Sequence, residues 1–163
     1  MYYLKIARNK KINPAFYIQD AGFTLIELLV IVSILALIVA VFLTNMERNK
    51  NNAKDAAVKS SLLEVQKSAE LLYSNTKSYK DVCDSTNTTL SDEGDFGRIK
   101  SYIEKNNGVN GVIGCKSTQD EYAVISSLNL GDCWCVDWQG KSKKVVLNGA
   151  SDCRARLTTT SCP

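Results

Sequence analysis

The chain has 163 residues, with 20 Lys+Arg against 17 Asp+Glu, a formal net charge of +3 and no histidine. The lack of His excludes Ser-His and Cys-His nucleophilic pairs and His-ligated metals. Residues 1–22 carry Lys5, Arg8, Lys10 and Lys11 against Asp20, which is the whole of that net charge; the remainder is formally neutral, so nucleic acid is not an indicated partner.

The first element in chain order is an apolar run. From Leu28 to Leu43 there is no charge, and Ser33 is the only polar side chain. Glu27 stands at its head. A charge at the centre of a bilayer costs roughly 2.5–3.5 kcal/mol on insertion scales, less near the interface, so such a residue calls for a partner. The bases that precede the run hold that side in the cytoplasm. An ordinary secretory signal is cut after its apolar region at a small-residue site. Here no Ala-x-Ala lies between Leu28 and Leu43, and the cleavage candidate, Gly22, lies before the run. Cutting after Gly22 would free an amine on Phe23, the simplest partner for Glu27.

The stretch Gly22-Phe23-Thr24-Leu25-Ile26-Glu27-Leu28-Leu29-Val30 closely resembles the cleavage and N-methylation motif of type IV prepilins and the related pseudopilins. The match runs residue by residue, with Gly22 at the cut, Phe23 as the new N-terminus and Glu27 as its fifth residue. The resemblance implies a prepilin leader over 1–22 and a prepilin peptidase that cleaves the chain and N-methylates Phe23. It implies a homo-oligomeric helical filament, shared with other pilins and driven by an assembly ATPase and a platform protein. In that filament Glu27 pairs with the Phe23 amine of a neighbour. Before assembly the chain would be a single-pass protein of the cytoplasmic (inner) membrane, N-terminus in and head out; afterwards it would lie in a cell-surface filament. The competing reading is a membrane anchor with an incidental Glu27. It explains the apolar run, but neither Gly22 nor the position of the acid.

Residues 23–43 then form the membrane and assembly helix, and 44–77 its amphipathic continuation. Val58, Leu62, Val65, Ala69 and Leu72 recur at spacings of four and three, one apolar stripe on a helix face. No Gly or Pro interrupts residues 23–77, which at 1.5 Å per residue predicts a rod of about 80 Å. The same spacing fits a short coiled-coil seam. Many pilins carry Pro where this chain has Thr44, so the family's local helix break is not implied here.

Residues 78–163 are expected to form a disulfide-bonded head. The stretch 78–119 reads as loop with short elements, among them a helix over 96–104. Strands are expected at 122–128, 133–138 and 144–147, separated by turn signals at Gly131-Asp132 and Gly140. The fold class is α+β, a long N-terminal helix on a three-stranded antiparallel meander. The helix stripe covers one face, because an isolated small sheet is marginal in water.

Six cysteines, Cys83, Cys115, Cys133, Cys135, Cys153 and Cys162, all lie on the expected outer side. An even count in an exported domain reads as disulfides. Strand alternation puts Trp134, Val136 and Trp138 on one face and Cys133, Cys135 and Asp137 on the other. With the Trp face on the helix, the tail folds over the other face. Cys153 and Cys162 then each bond one of Cys133 and Cys135, and Cys83 bonds Cys115.

Other chemistry is thin. No pair of C-x-x-C knuckles supports zinc. A redox dithiol at Cys133-Trp134-Cys135 would need a helix N-terminal setting that a strand does not provide. Asp92-Glu93-Gly94-Asp95 is a Ca²⁺ candidate beside the plainer reading of an exposed acidic loop. Asn87-Thr88-Thr89 fits a glycosylation sequon. No metal, cofactor or catalytic residue is expected, and the chain reads as a non-enzymatic filament subunit. The alternatives are a minor pilin, a type II secretion pseudopilin or a single-pass envelope adhesin. A thiol enzyme would need Cys133 or Cys135 free.

Overall fold

The computed structural model describes residues 23–108, 110–150 and 152–163. The leader 1–22, and Gly22 with it, lies outside the described residues. The chain divides into two compact units, Met1–Val41 and Phe42–Pro163. Helix α1 (Leu25–Thr76) begins in the first and ends in the second. It contains no Gly or Pro, and it stops where Lys77 turns into the left-handed region at φ 57°. The Lys77 N–H still donates to Tyr73 O at 2.8 Å, which closes the last turn.

In the first unit every large apolar side chain from Leu25 to Val41 is exposed. The apolar segment is long enough to cross a membrane.

In the second unit α1 has one buried stripe. Val58, Leu62, Val65 and Ala69 are each 0 % exposed, and Leu72 packs beside them. This stripe meets the unit's own sheet and is not a coiled-coil seam. After a short 3₁₀ turn at Lys80–Val82 comes α2 (Gly94–Asn106), which buries Phe96, Ile99 and Ile103 at helical spacing in the same core.

The sheet is an antiparallel meander of β1 (Ile113–Ser117), β2 (Tyr122–Ser127), β3 (Cys133–Asp137) and β4 (Ser142–Val145), in spatial order β1-β2-β3-β4. It thus has four strands and not the three expected from sequence. The added strand, β1, falls in the stretch read as loop. Its Ile113-Gly114-Cys115-Lys116-Ser117 carries a single β-branched apolar residue, and only its pairing with β2 makes it a strand. β4 also starts earlier than residues 144–147. Pairing of Cys133 with Val145 and Val136 with Ser142 sets its register, not the apolar triplet Val145-Val146-Leu147.

The row Cys115, Val124, Val136 lies on the helix side of the sheet, with Trp134 and Trp138 packed against that core. The opposite face holds Ala123, Ile125, Cys133, Cys135 and Val145. Helix α3 (Cys153–Arg156) and the tail cover it with Cys153, Leu157 and Cys162. Gly114 permits the approach: a Cβ there would stand 2.9 Å from the Ile125 side chain and 3.2 Å from Arg154 Cα.

Polar pins fix these layers. Asp55 on α1 is buried and accepts from Asn129 N at 2.7 Å and Asn129 Nδ2 at 2.8 Å. The same amide donates to Asn106 O at 2.7 Å, so one side chain joins α1, the β2–β3 turn and the end of α2. Gln66 Nε2 donates to Lys141 O at 3.1 Å and ties α1 to the β3–β4 turn.

Leu62→Ala should therefore cost the second unit about 2–5 kcal/mol, whereas Leu63→Ala, on the exposed side, should stay within about 0.5 kcal/mol. Denaturant titration of the detergent-solubilised chain, read by Trp134 and Trp138 fluorescence, compares the two.

Candidate functional site

The N-terminal segment offers its chemistry in three residues. Phe23 is 77 % exposed. Thr24 precedes the first helical residue, and Glu27 sits three positions later. Glu27 Oε2 accepts from Thr24 N at 3.0 Å and from Thr24 Oγ1 at 2.8 Å, and Glu27 N donates back to Thr24 Oγ1 at 3.3 Å. This is a reciprocal capping box, which satisfies amides that the first helical turn leaves without partners. Sequence reasoning asked only what would neutralise Glu27 and missed Thr24. The signal was there in the Thr-x-x-Glu spacing ahead of an apolar run. A helix N-terminus favours a carboxylate through its dipole as well as through its free amides. Glu27 is thereby held at the very end of the apolar helix, where it can also face an amine.

Along the next turns the surface is unbroken hydrocarbon. Ser33, the one polar side chain, donates its hydroxyl to Val30 O at 2.8 Å and so satisfies itself within the helix. Such a segment has no use for water on any side.

The six cysteines come together in three pairs. Cys83 bonds Cys115, Cys133 bonds Cys153 and Cys135 bonds Cys162, with Cα–Cα distances of 5.6, 5.7 and 5.7 Å. None is a free thiol, and a thiol enzyme at Cys133 or Cys135 would need one. The first pair fastens the segment around residues 82–90 against the β1 edge, where Cys115 N also donates to Thr88 O at 3.1 Å. The other two stitch the tail to β3. Asp137, fully buried, adds a second fastening: Oδ2 accepts from Cys162 N at 3.0 Å, and Oδ1 from Gln139 N at 3.1 Å and Lys141 N at 3.2 Å. One carboxylate thus closes the β3–β4 turn and holds the last disulfide in place.

The sequon residue Asn87 has a structural task. Its φ is 57°, its Oδ1 accepts from Ser117 N at 2.6 Å and its Nδ2 donates to Ser117 O at 2.9 Å. A glycan on Nδ2 would compete with that bond. Two acids of the 92–95 loop face bases: Lys100 Nζ stands 2.7 Å from Asp92 Oδ1, and Arg98 Nη2 3.7 Å from Asp95 Oδ1. Among the described residues no group of three or more His, Cys, Asp or Glu converges as a metal site.

Residues 19–43 match the model of the prokaryotic N-terminal methylation motif. That motif is the hallmark of type IV pilins and pseudopilins. The match spans the leader junction and the apolar first part of α1, and the fold behind it is a long helix packed on an antiparallel sheet. No curated protein and no solved structure matches the chain.

The neighbouring loop carries a pH dependence. Burial pushes the Asp84 carboxyl up, but the Thr86 hydroxyl and the Thr88 and Thr89 amides outweigh it and hold it down to about 2, from an ordinary 3.8. A depressed carboxylate contributes stability that is full above the ordinary value and lost as pH falls through the lowered one. Amide exchange at Thr88 and Thr89 should therefore stay slow at pH 5. Below about pH 3 it should lose protection, and Asp84→Ala, which removes the acceptor, should lose it at every pH.

Proposed function

We propose that the chain is cut after Gly22 and that residues 23–163 serve as a structural subunit of a type IV pilus-like filament. The observation that carries this reading is the methylation motif at 19–43, joined to an α1 segment whose apolar side chains have no cover of their own. In this reading 1–22 is the leader, 23–43 the membrane and assembly helix, 44–77 its amphipathic continuation and 78–163 the head. As a single-pass protein of the cytoplasmic membrane, N-terminus in and head out, the subunit keeps 23–43 in lipid. On extraction, those helices cover one another in the filament core and the heads face outward, at the cell surface.

The direct partners are other copies of the chain, other pilins, the prepilin peptidase that cuts and N-methylates at Phe23, and the membrane. An assembly ATPase and a platform protein act indirectly. Glu27 caps its own helix in the subunit. In the filament its carboxylate takes the Phe23 amine of a neighbour, and a charge paired in dry surroundings fixes axial register. The head contributes no catalysis and needs no cofactor; its three disulfides hold a small core together outside the cell. A loop the size of Cys83–Cys115 is worth roughly 3–4 kcal/mol in the chain-entropy model. A minor pilin or a type II secretion pseudopilin shares this N-terminal chemistry. The abundance of the chain in sheared filaments separates those roles, since a minor subunit stays substoichiometric.

Gly22→Val places a side chain where the peptidase approaches the backbone. Immunoblots of that variant should show the full-length precursor accumulating at the expense of the mature chain. Glu27→Val should leave the head's melting temperature unchanged and lower filament recovery by roughly tenfold or more. Wild-type filament recovery from Glu27→Val would remove the amine-pairing role.

A further inference from the structure

The two edges of the head differ in charge and in cover. The β1 edge is closed by the segment around residues 82–90, through the Cys83–Cys115 disulfide and the Asn87–Ser117 hydrogen bonds. β4, at the other end of the strand order, is an edge strand. It presents Lys143 and Lys144 to solvent, with Lys141 in the turn before it and Val146, 51 % exposed, just after it. Lys144 Nζ is 2.7 Å from Asp132 Oδ2, whereas no ion pair among the described residues reaches Lys141 or Lys143.

On the other flank of α1 lies a groove of about 350 Å³ between the last turns of that helix and the start of α2. Its apolar lining is Leu71, 60 % exposed, with Leu72 and Phe96; its acids are Asp81, Glu93 and Asp95. Arg98 turns toward Glu64 at 2.6 Å and reaches Asp95 only at 3.7 Å. No ion pair among the described residues reaches Asp81 or Glu93. The groove and the lysine edge face different ways. Gln66, which holds the β3–β4 turn, and Ser68, which lines the groove, are two residues apart on α1 and so roughly 200° apart around its axis.

We propose that the α1–α2 groove of one head receives the β4 edge of a second copy of the chain. Lys141 and Lys143 meet Glu93 and Asp81, and Val146 lies over Leu71. Lysines on an edge strand oppose strand-to-strand addition, so the contact is made through side chains and not by extending the sheet. The two patches are different surfaces of one molecule. Such a heterologous contact leaves a free groove at one end and a free edge at the other, and it repeats as a helical array. Opposite charge on the two faces also opposes groove-to-groove and edge-to-edge encounters. The inference rests on the filament reading above and says which head surfaces meet within it.

The test uses full-length protein in sheared filaments. A zero-length carbodiimide, which joins amine to carboxylate, should link Lys141 or Lys143 to Glu93 or Asp81. Peptide mapping should find that linkage in filaments and not in detergent-solubilised monomer. Lys141→Glu with Lys143→Glu should lower filament recovery roughly tenfold, and adding Asp81→Lys with Glu93→Lys should restore it to within about twofold. Trp fluorescence melting shows that each variant remains folded. Wild-type filaments that cross-link only at other head residues, or charge reversals that assemble normally, would overturn the proposed contact and leave the filament reading standing. If the mature protein forms no filament and still starts at Met1, both fail.

Discussion

Water cannot solvate the first part of α1, and most of what this chain does follows from that constraint. From Leu25 to Val41 it exposes apolar side chains on every side. At about 25 cal/mol per Å² of apolar surface, leaving such a segment wet costs on the order of tens of kcal/mol. Lipid removes that cost, and so do other copies of the same helix. A filament built from membrane subunits exchanges one cover for the other, and the free energy of the exchange is a small difference between two large, similar terms. Glu27 breaks this near-degeneracy. Among interchangeable hydrocarbon surfaces it is the single charged residue between Phe23 and Leu43.

The later part of α1 obeys a different rule. There the helix is apolar on one face only, and Val58, Leu62, Val65 and Ala69 complete the core of the head. A four-stranded sheet of such short strands exposes two faces, each of which must be covered. The helix takes one. The other falls to a tail with little apolar content, held by the Cys133–Cys153 and Cys135–Cys162 bonds, by Leu157 and by the buried Asp137 carboxylate. The disulfides do for the outer face what the helix stripe does for the inner one.

The stripe and the two faces of β3 were legible in the sequence, because periods of 3.6 and 2 are local properties. Trp134, Val136 and Trp138 alternate with Cys133, Cys135 and Asp137, and each set meets what its chemistry suggests. β1 was not legible. Gly114 weakens the strand signal, yet it is there because Arg154, forty residues later, needs the space. The start of β4 was hidden for a related reason, since pairing to β3 outweighs a run of three apolar residues. The polar pins Asp55–Asn129, Gln66–Lys141 and Asn87–Ser117 join residues far apart in sequence, and nothing local announces them. At the N-terminus the motif was plain, but the reciprocal Thr24–Glu27 bonds, which give Glu27 a task within its own helix, were not read from it.

Intact-mass and peptide mass spectrometry of the protein taken from its native envelope bears most directly on the filament-subunit claim. The expected result is a chain that begins at Phe23 with a methylated amine and carries three disulfides. A chain that begins at Met1, or an unmodified amine on Phe23 together with free thiols at Cys133 or Cys135, would contradict it.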